Sequence, residues 1–211
     1  MKLNKFIWAI LAIVLTMPSM ALATMVDFTD PAWSGAMNQE DYNVNYGGLN
    51  VKALANPDDA TLWQDSTDGL GVQYNYENDE IEGNERLLIK FSQMVLLNTI
   101  YIADLFYEHG YYEIGRYKLY DGSSWSSWNG FSATNPTYSP ANGEINFEVN
   151  QMVSKIKFSA PGKIHCSGKG HEFALQGLKV NEVPEPSTII LLGAGLVGFA
   201  LMRRRDGLKV N

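Results

Sequence analysis

Leu87-Leu88-Ile89-Lys90-Phe91 decides the fold class of this chain: Leu87, Ile89 and Phe91 recur at every second position, with Leu88 and Lys90 between them. Period two is the repeat of a strand with one buried face, because successive side chains leave the backbone on opposite sides. The repeat extends in both directions. Upstream, Leu49, Val51 and Ala53 alternate with Asn50 and Lys52. Downstream, Ile100 and Ile102 flank Tyr101, followed by Tyr117-Lys118-Leu119-Tyr120. Ile145, Phe147 and Val149, then Ile156 and Phe158, then Phe173 and Leu175, then Leu178 to Val180 complete the series. These runs are β-branched or aromatic, and turn residues bound them at Asn56-Pro57-Asp58-Asp59, Asp121-Gly122 and Ala141-Asn142-Gly143. Residues 77–85 alone read as a short helical turn, and no segment offers an amphipathic helix of three turns. Eight or nine short strands predict an all-β fold, a two-sheet antiparallel β-sandwich with jelly-roll-like topology.

Both ends of the chain read as addresses. Lys2 and Lys5 precede an apolar run over residues 6–14, Pro18 breaks it, and Ala21-Leu22-Ala23 supplies the small-x-small pattern of signal peptidase. Cleavage is expected after Ala23. A retained anchor fits less well, since the apolar run is short for a span. At the other end Val183-Pro184-Glu185-Pro186-Ser187-Thr188 leads into a small and apolar run over residues 189–202, which stops at Arg203-Arg204-Arg205. That run reaches roughly 21 Å as a helix, against about 30 Å of bilayer core, so Ser187, Thr188 and snorkelling arginines must help it span. The expected transmembrane helix covers about 187–203, with the arginines cytoplasmic. Gly195 and Gly198 have only two residues between them, which is not the GxxxG dimer spacing.

Residues 183–205 resemble the PEP-CTERM sorting signal of Gram-negative exopolysaccharide-producing bacteria, a tail also called the ice-binding protein C-terminal domain. The likeness rests on Val183, Pro184, Glu185, Pro186, Ser187 and Thr188, the glycine-interrupted apolar run, and Arg203, Arg204 and Arg205. It implies processing by a membrane protease of the exosortase type, followed by release or transfer to the cell surface. It does not imply ice binding. Asp206 to Asn211 extend beyond the arginines, where the family usually ends sooner. Gly69-Leu70-Gly71-Val72, the acidic stretch Asp79 to Glu85, and Leu87, Ile89 and Phe91 are similar to a sandwich domain that often precedes this tail. That second likeness spans residues 69–102 and implies an all-β fold and a cation site, but no enzyme activity.

The expected organisation is therefore a signal peptide (1–23), a β-sandwich domain (24–182) and a sorting segment (183–211). The middle segment carries 10 Lys and Arg against 21 Asp and Glu, a net charge of −11. Such a surface repels nucleic acid and excludes it as a partner class. A single cysteine, Cys166, leaves no internal disulfide, so the core must hold without one.

Between Lys52 and Arg86 lie nine acids and no base. The densest part is Asp79, Glu80, Glu82, Asn84 and Glu85 around Gly83. Calcium takes six to eight oxygens from carboxylates, amides and carbonyls, often around a sharp turn, and this segment offers those donors. In an extended strand Glu80, Glu82 and Asn84 would share one face. The spacing is not that of an EF-hand, and the ordinary alternative is a solvated acidic loop. His165, Cys166 and His171 supply three soft ligands where zinc takes four, so a surface turn is the simpler reading.

The aromatic residues Tyr107, Tyr111, Tyr112, Trp125, Trp128, Phe131 and Tyr138 gather between residues 103 and 140. Such rings stack on sugars, though half or more ordinarily fill a core. Trp125 and Trp128, with polar neighbours on both sides, are the candidate carbohydrate-binding residues. No Gly-x-Ser-x-Gly elbow occurs, and no catalytic residue is expected. The leading expectation is a non-catalytic exported surface or matrix protein associated with exopolysaccharide or biofilm. Its expected partners are signal peptidase, an exosortase-type protease and, as a precursor, the membrane. A calcium-assisted carbohydrate-binding module comes second. A polysaccharide hydrolase using paired carboxylates comes third.

Overall fold

The computed structural model describes residues 23–74, 80–108, 111–133, 143–162 and 171–183, together with Gly193, Gly195, Leu196 and Gly198 of the tail. The chain divides into two units, residues 23–182 and a second made of residues 1–22 and 183–211. In the second unit the four described tail residues are helical. Among the described residues no helix is long and apolar enough to cross a membrane, and most of the expected span, 187–203, lies outside them, as does the expected signal helix.

The first unit is built mainly of strands. Its elements are β1 (Ala23–Asp27), a 3-10 helix (Pro31–Ala36), β2 (Asp41–Tyr46), β3 (Leu49–Asn56), β4 (Thr61–Asp65), β5 (Gly69–Gln73) and β6 (Arg86–Ala103). After these come β7 (Tyr107–Glu108), β8 (Tyr111–Tyr112), β9 (Ile114–Tyr120), β10 (Asn129–Ser132), β11 (Ile145–Ser159) and β12 (Ala174–Glu182). Every pairing is antiparallel. Ten strands join in one sheet that runs β10-β9-β11-β6-β12-β5-β4, with β1 also on β12 and the β2-β3 hairpin on β6. β7 and β8 form a separate ribbon.

Two long strands, β6 with 18 residues and β11 with 15, lie side by side and curl the sheet. The first part of β6 pairs with β3 as far as Phe91, and from Val95 onward its partner is β12. The change falls at Ser92-Gln93-Met94, where the register against β11 passes from Lys90↔Lys155 to Val95↔Val153. The extra residues in β6 form a bulge, which bends a strand and increases its twist. What the sequence presents as separate short runs, 87–91 and 100–102, is thus one continuous strand. Likewise 145–149 and 156–158 are both β11. The buried positions change from odd to even numbers between Leu97 and Ile100 in β6 and between Val153 and Ile156 in β11, at register shifts beyond which the pairing resumes, so a strict period-two reading breaks each strand. The ten strands form one hydrogen-bonded, curled antiparallel sheet.

The core lies on the inner face of this curl. Val51, Ala53, Leu87, Ile89, Leu97, Ile100, Ile102, Ile156, Phe158 and Leu178 are fully buried. The 3-10 helix supplies its largest member, Trp33, packed on Phe28 with ring centroids 4.8 Å apart. Asp30 caps that helix by accepting from the Ala32 N–H at 2.8 Å, and Pro31 fits its first turn. The Trp33 indole N–H donates to the Tyr46 hydroxyl at 2.7 Å, which donates in turn to the Asp27 carbonyl at 3.0 Å. This satisfied chain lets a polar-tipped ring sit fully inside the core. Among the described residues of this unit the one short helix is here; of the stretch 77–85, residues 77–79 lie outside the described residues and 80–85 hold a turn and no helix.

Candidate functional site

Register places most of the cations on one surface. Lys155 pairs with Lys90 and Tyr120, Lys90 with Lys52, Lys157 with Lys118, and Ser159 with both Arg116 and Arg86. Directly opposed residues share a face, and so do residues two apart along a strand. Lys52, Arg86, Lys90, Arg116, Lys118, Lys155 and Lys157 therefore all lie on the face opposite the core. They are seven of the ten Lys and Arg in residues 24–182, in a segment whose net charge is −11. Among the described residues Lys52 alone of the seven forms an ion pair, with Asp41 at 3.0 Å. Lys157, part-buried between Lys118 and Arg86, is held below the usual lysine range, first by desolvation and then by those two like charges.

The loop between β9 and β10 lays its aromatics over these cations. Asp121 fastens it: one carboxylate oxygen accepts from the Ser123 N–H, the Ser123 hydroxyl and the Ser124 N–H, each at 2.8 Å. Those bonds lower its pKa to about 2. The Ser126 N–H then donates to the Leu119 carbonyl at 2.8 Å, and Ser126 Oγ accepts from the Leu119 N–H at 3.0 Å. As a result the loop folds back along β9. Trp125 lies 4.9 Å from Lys118 Nζ and 5.3 Å from Lys157 Nζ. Trp128 lies 4.7 Å from the Arg116 guanidinium and 5.0 Å from Lys118 Nζ. Tyr120 sits 4.6 Å from Lys155 Nζ and 5.3 Å from Trp125. Each distance is within cation–π or aromatic contact range. Trp128 stays 37% exposed and borders an open groove of about 430 Å³ with Arg116, Ile114, Phe131, Ser132 and Pro161.

Both tryptophans singled out by the sequence thus belong to one surface; of the other aromatics, Phe131 borders the same groove but also packs into the core, and Tyr107 and Tyr112 lie in a separate ribbon. Phe131 packs on Phe147 at 5.5 Å and Phe173 at 5.0 Å. Tyr107 and Tyr112 pair at 4.6 Å in the β7–β8 ribbon. Tyr138 lies outside the described residues. The sequence reading missed Arg116, Lys118, Tyr120, Lys155 and Lys157, whose signal is alternate-position placement in strands that turn out to be neighbours.

The acidic segment takes a different form from the extended face expected of Glu80, Glu82 and Asn84. Fully buried Ile81 anchors it, its N–H donating to the Phe173 carbonyl at 2.8 Å. Residues 82–85 then close a turn through Gly83 at φ +52. The Glu85 N–H donates to the Glu82 carbonyl at 2.8 Å, and the Glu82 N–H donates to the Glu85 carboxylate at 2.9 Å. Burial of Ile81 in mid-segment sets this path, and it turns the Glu85 carboxylate inward, where it is 4% exposed. Asp79 lies outside the described residues. No group of three or more His, Cys, Asp or Glu converges among the described residues. A second buried carboxylate, Glu113, accepts from the Phe106 N–H. His171 Nδ1 accepts from the Ile114 N–H at 3.3 Å, while His165 and Cys166 lie outside the described residues.

At the ends, Ala23 opens β1 opposite Asn181, and Val183 is exposed just beyond β12. Ala21, Pro184, Glu185, Pro186, Ser187, Thr188, Arg203, Arg204 and Arg205 lie outside the described residues.

No curated protein matches the chain. One similar solved structure is the C-terminal domain of a chitobiase from Bacteroides fragilis, 15% identical, covering 70% of this chain and 97% of that one, with a TM-score of 0.36. Another, a GH31 CBM32-2 bound to GalNAc, is 10% identical and covers 78% of this chain and 100% of that one, with a TM-score of 0.28. At scores this low neither likeness bears on the fold or ligand here. The comparison that does bear is with the tail: residues 182–205 match the PEP-CTERM protein-sorting motif, and the chain carries that motif.

Proposed function

We propose that this chain is an exported, non-catalytic cell-surface or extracellular-matrix protein. Its β-domain, a jelly-roll-like sandwich over residues 24–182, would be delivered by a cleaved signal peptide and held briefly at the inner membrane by residues 187–203. An exosortase-type protease then acts at the Pro184-Glu185-Pro186 segment. The sorting motif at residues 182–205 is the observation that carries this reading. The lack of internal disulfides suits it no less, because the buried aromatic and aliphatic core needs no covalent support. Replacing Pro184, Glu185 and Pro186 together with alanine tests it. The expected result is full-length precursor accumulating in the inner-membrane fraction while the unaltered protein reaches the surface. Equal surface delivery of both would reject the reading.

A second reading makes the β-domain a carbohydrate-binding module. Trp125 and Trp128, held over Arg116, Lys118 and Lys157 by the Asp121-fastened loop, favour it. Association with exopolysaccharide would give the exported protein a place in the biofilm layer. Glycan-array binding that disappears when both tryptophans become alanine is the expected result. Unchanged binding by that variant would remove the tryptophans from the reading.

A further inference from the structure

A charge pattern this uneven needs a cause. The domain carries 21 acids, yet seven of its ten cations line one sheet face, where a single carboxylate, that of Asp41, forms an ion pair with them among the described residues. Opposed residues on neighbouring strands are about 5 Å apart, and residues two apart on one strand are about 7 Å apart. Lys118, Lys157, Lys155 and Arg86 are therefore crowded like charges, the lysines eased by the rings of Trp125, Trp128 and Tyr120 but none of the four paired with a carboxylate among the described residues. An anion laid across them would offset their repulsion.

We propose that the face formed by Arg116, Lys118, Tyr120, Lys155 and Lys157, with Trp125 and Trp128, binds an acidic polysaccharide, one bearing a carboxylate on its sugar rings. This deepens the carbohydrate-binding reading above and rests on it. The cations meet the carboxylates, and the exposed indole of Trp128 offers an apolar wall to a ring entering the groove that it shares with Arg116. Charge density argues for a glycan over nucleic acid. Duplex DNA carries about one charge per 1.7 Å, so the surrounding acids repel it strongly, whereas a uronic chain carries at most one charge per sugar. The short-range contacts at the face then decide the outcome. Since lysine and arginine supply the counter-charge directly, no bridging metal ion is needed.

The test uses the purified full-length chain in detergent, with polygalacturonate as the probe. Uncharged dextran, duplex DNA and anionic phospholipid vesicles serve as comparisons. Binding to polygalacturonate is expected, weakening with added salt and unchanged by EDTA. The double variant Lys118→Gln with Lys157→Gln should bind at least about tenfold more weakly, as expected when one or two charge-assisted contacts are lost. Trp128→Ala should also weaken binding, with the melting temperature of each variant checked against the parent. No binding to polygalacturonate overturns the proposal. So does equal binding to dextran, tighter binding to DNA or vesicles, loss on adding EDTA, or full binding by a folded Lys118→Gln/Lys157→Gln chain. A failure here leaves surface delivery untouched, and a failure of delivery in cells leaves this binding untouched, so the two are separable. Loss of neutral-glycan binding in the Trp125/Trp128 double variant with polygalacturonate binding retained would isolate the carbohydrate reading from this one, and would also overturn the proposal.

Discussion

Single residues fix two places that the rest of the fold depends on. Trp33 fills the core beside Phe28 and Tyr42 and spends its only polar group on Tyr46. Trp33→Ala leaves a ring-sized cavity and removes one of the two hydrogen bonds of the Tyr46 hydroxyl, so a loss of about 3–5 kcal/mol is expected in denaturant melts. A loss under about 1 kcal/mol would mean the ring is not in the core. Asp121 holds the aromatic loop, and its pKa of about 2 against the usual 3.8 has a definite sign. A carboxyl whose pKa is lowered in the folded loop favours the ionised form there, so its contribution is complete above about pH 4 and fades as pH falls toward 2. An NMR titration of the Asp121 carboxyl should show a midpoint near 2, with the Trp125 and Trp128 signals shifting in step. A midpoint at 3.8 would contradict the fastening. Neither residue was visible in the sequence as a fastener, because each acts through partners that only the folded backbone supplies. Trp125 and Trp128 were visible, since polar neighbours on both sides mark a ring that is not simply core.

At the scale of elements, alternation revealed that the chain was β but not how the strands were joined. Leu87, Ile89 and Phe91 keep phase, and so do Ile156 and Phe158, yet the bulges that unite each run with its neighbour scramble the period. Asn150 stands in one of these irregularities with φ +52, between Glu148 and Gln151, where the register against β6 shifts. Asparagine tolerates that left-handed conformation and a β-branched side chain does not. Asn150→Val is expected to cost about 1–2 kcal/mol, while Asn150→Gly should cost less than half of that. Equal effects of the two would show that φ is not what matters there. Gly69 faces a harsher limit: at φ +109 an added Cβ would also meet the Leu175 carbonyl oxygen of β12. The strands β1, β2, β4 and β5 escaped the sequence reading for different reasons. β2 does alternate, with Tyr42, Val44 and Tyr46 on its inner side, but those positions are only half-buried and two of the three are polar-tipped, whereas β5 is buried on nearly every residue and shows no period. The basic face escaped it entirely, because Lys118 and Lys157 become neighbours only through the pairing of β9 with β11.

For the molecule as a whole, the two ends and the middle speak to different questions. Composition alone gave the acidic balance, but the segregation of seven cations onto one face needed the sheet. The acidic stretch at residues 79–85 read as an extended donor set, and burial of Ile81 instead folds its second half into a turn. The tail was fully legible, since Val183-Pro184-Glu185-Pro186, an apolar run and three arginines form a linear signal that needs no tertiary structure, and the motif match covers residues 182–205. Delivery to the surface is the claim on which the polysaccharide proposal depends for its setting, and intact-mass spectrometry of surface-released protein tests it most directly. The expected species begins at Thr24 and ends close to Pro184-Glu185-Pro186, without Arg203-Arg204-Arg205. Recovery of the whole 211-residue chain, unclipped and in the soluble intracellular fraction, would contradict it.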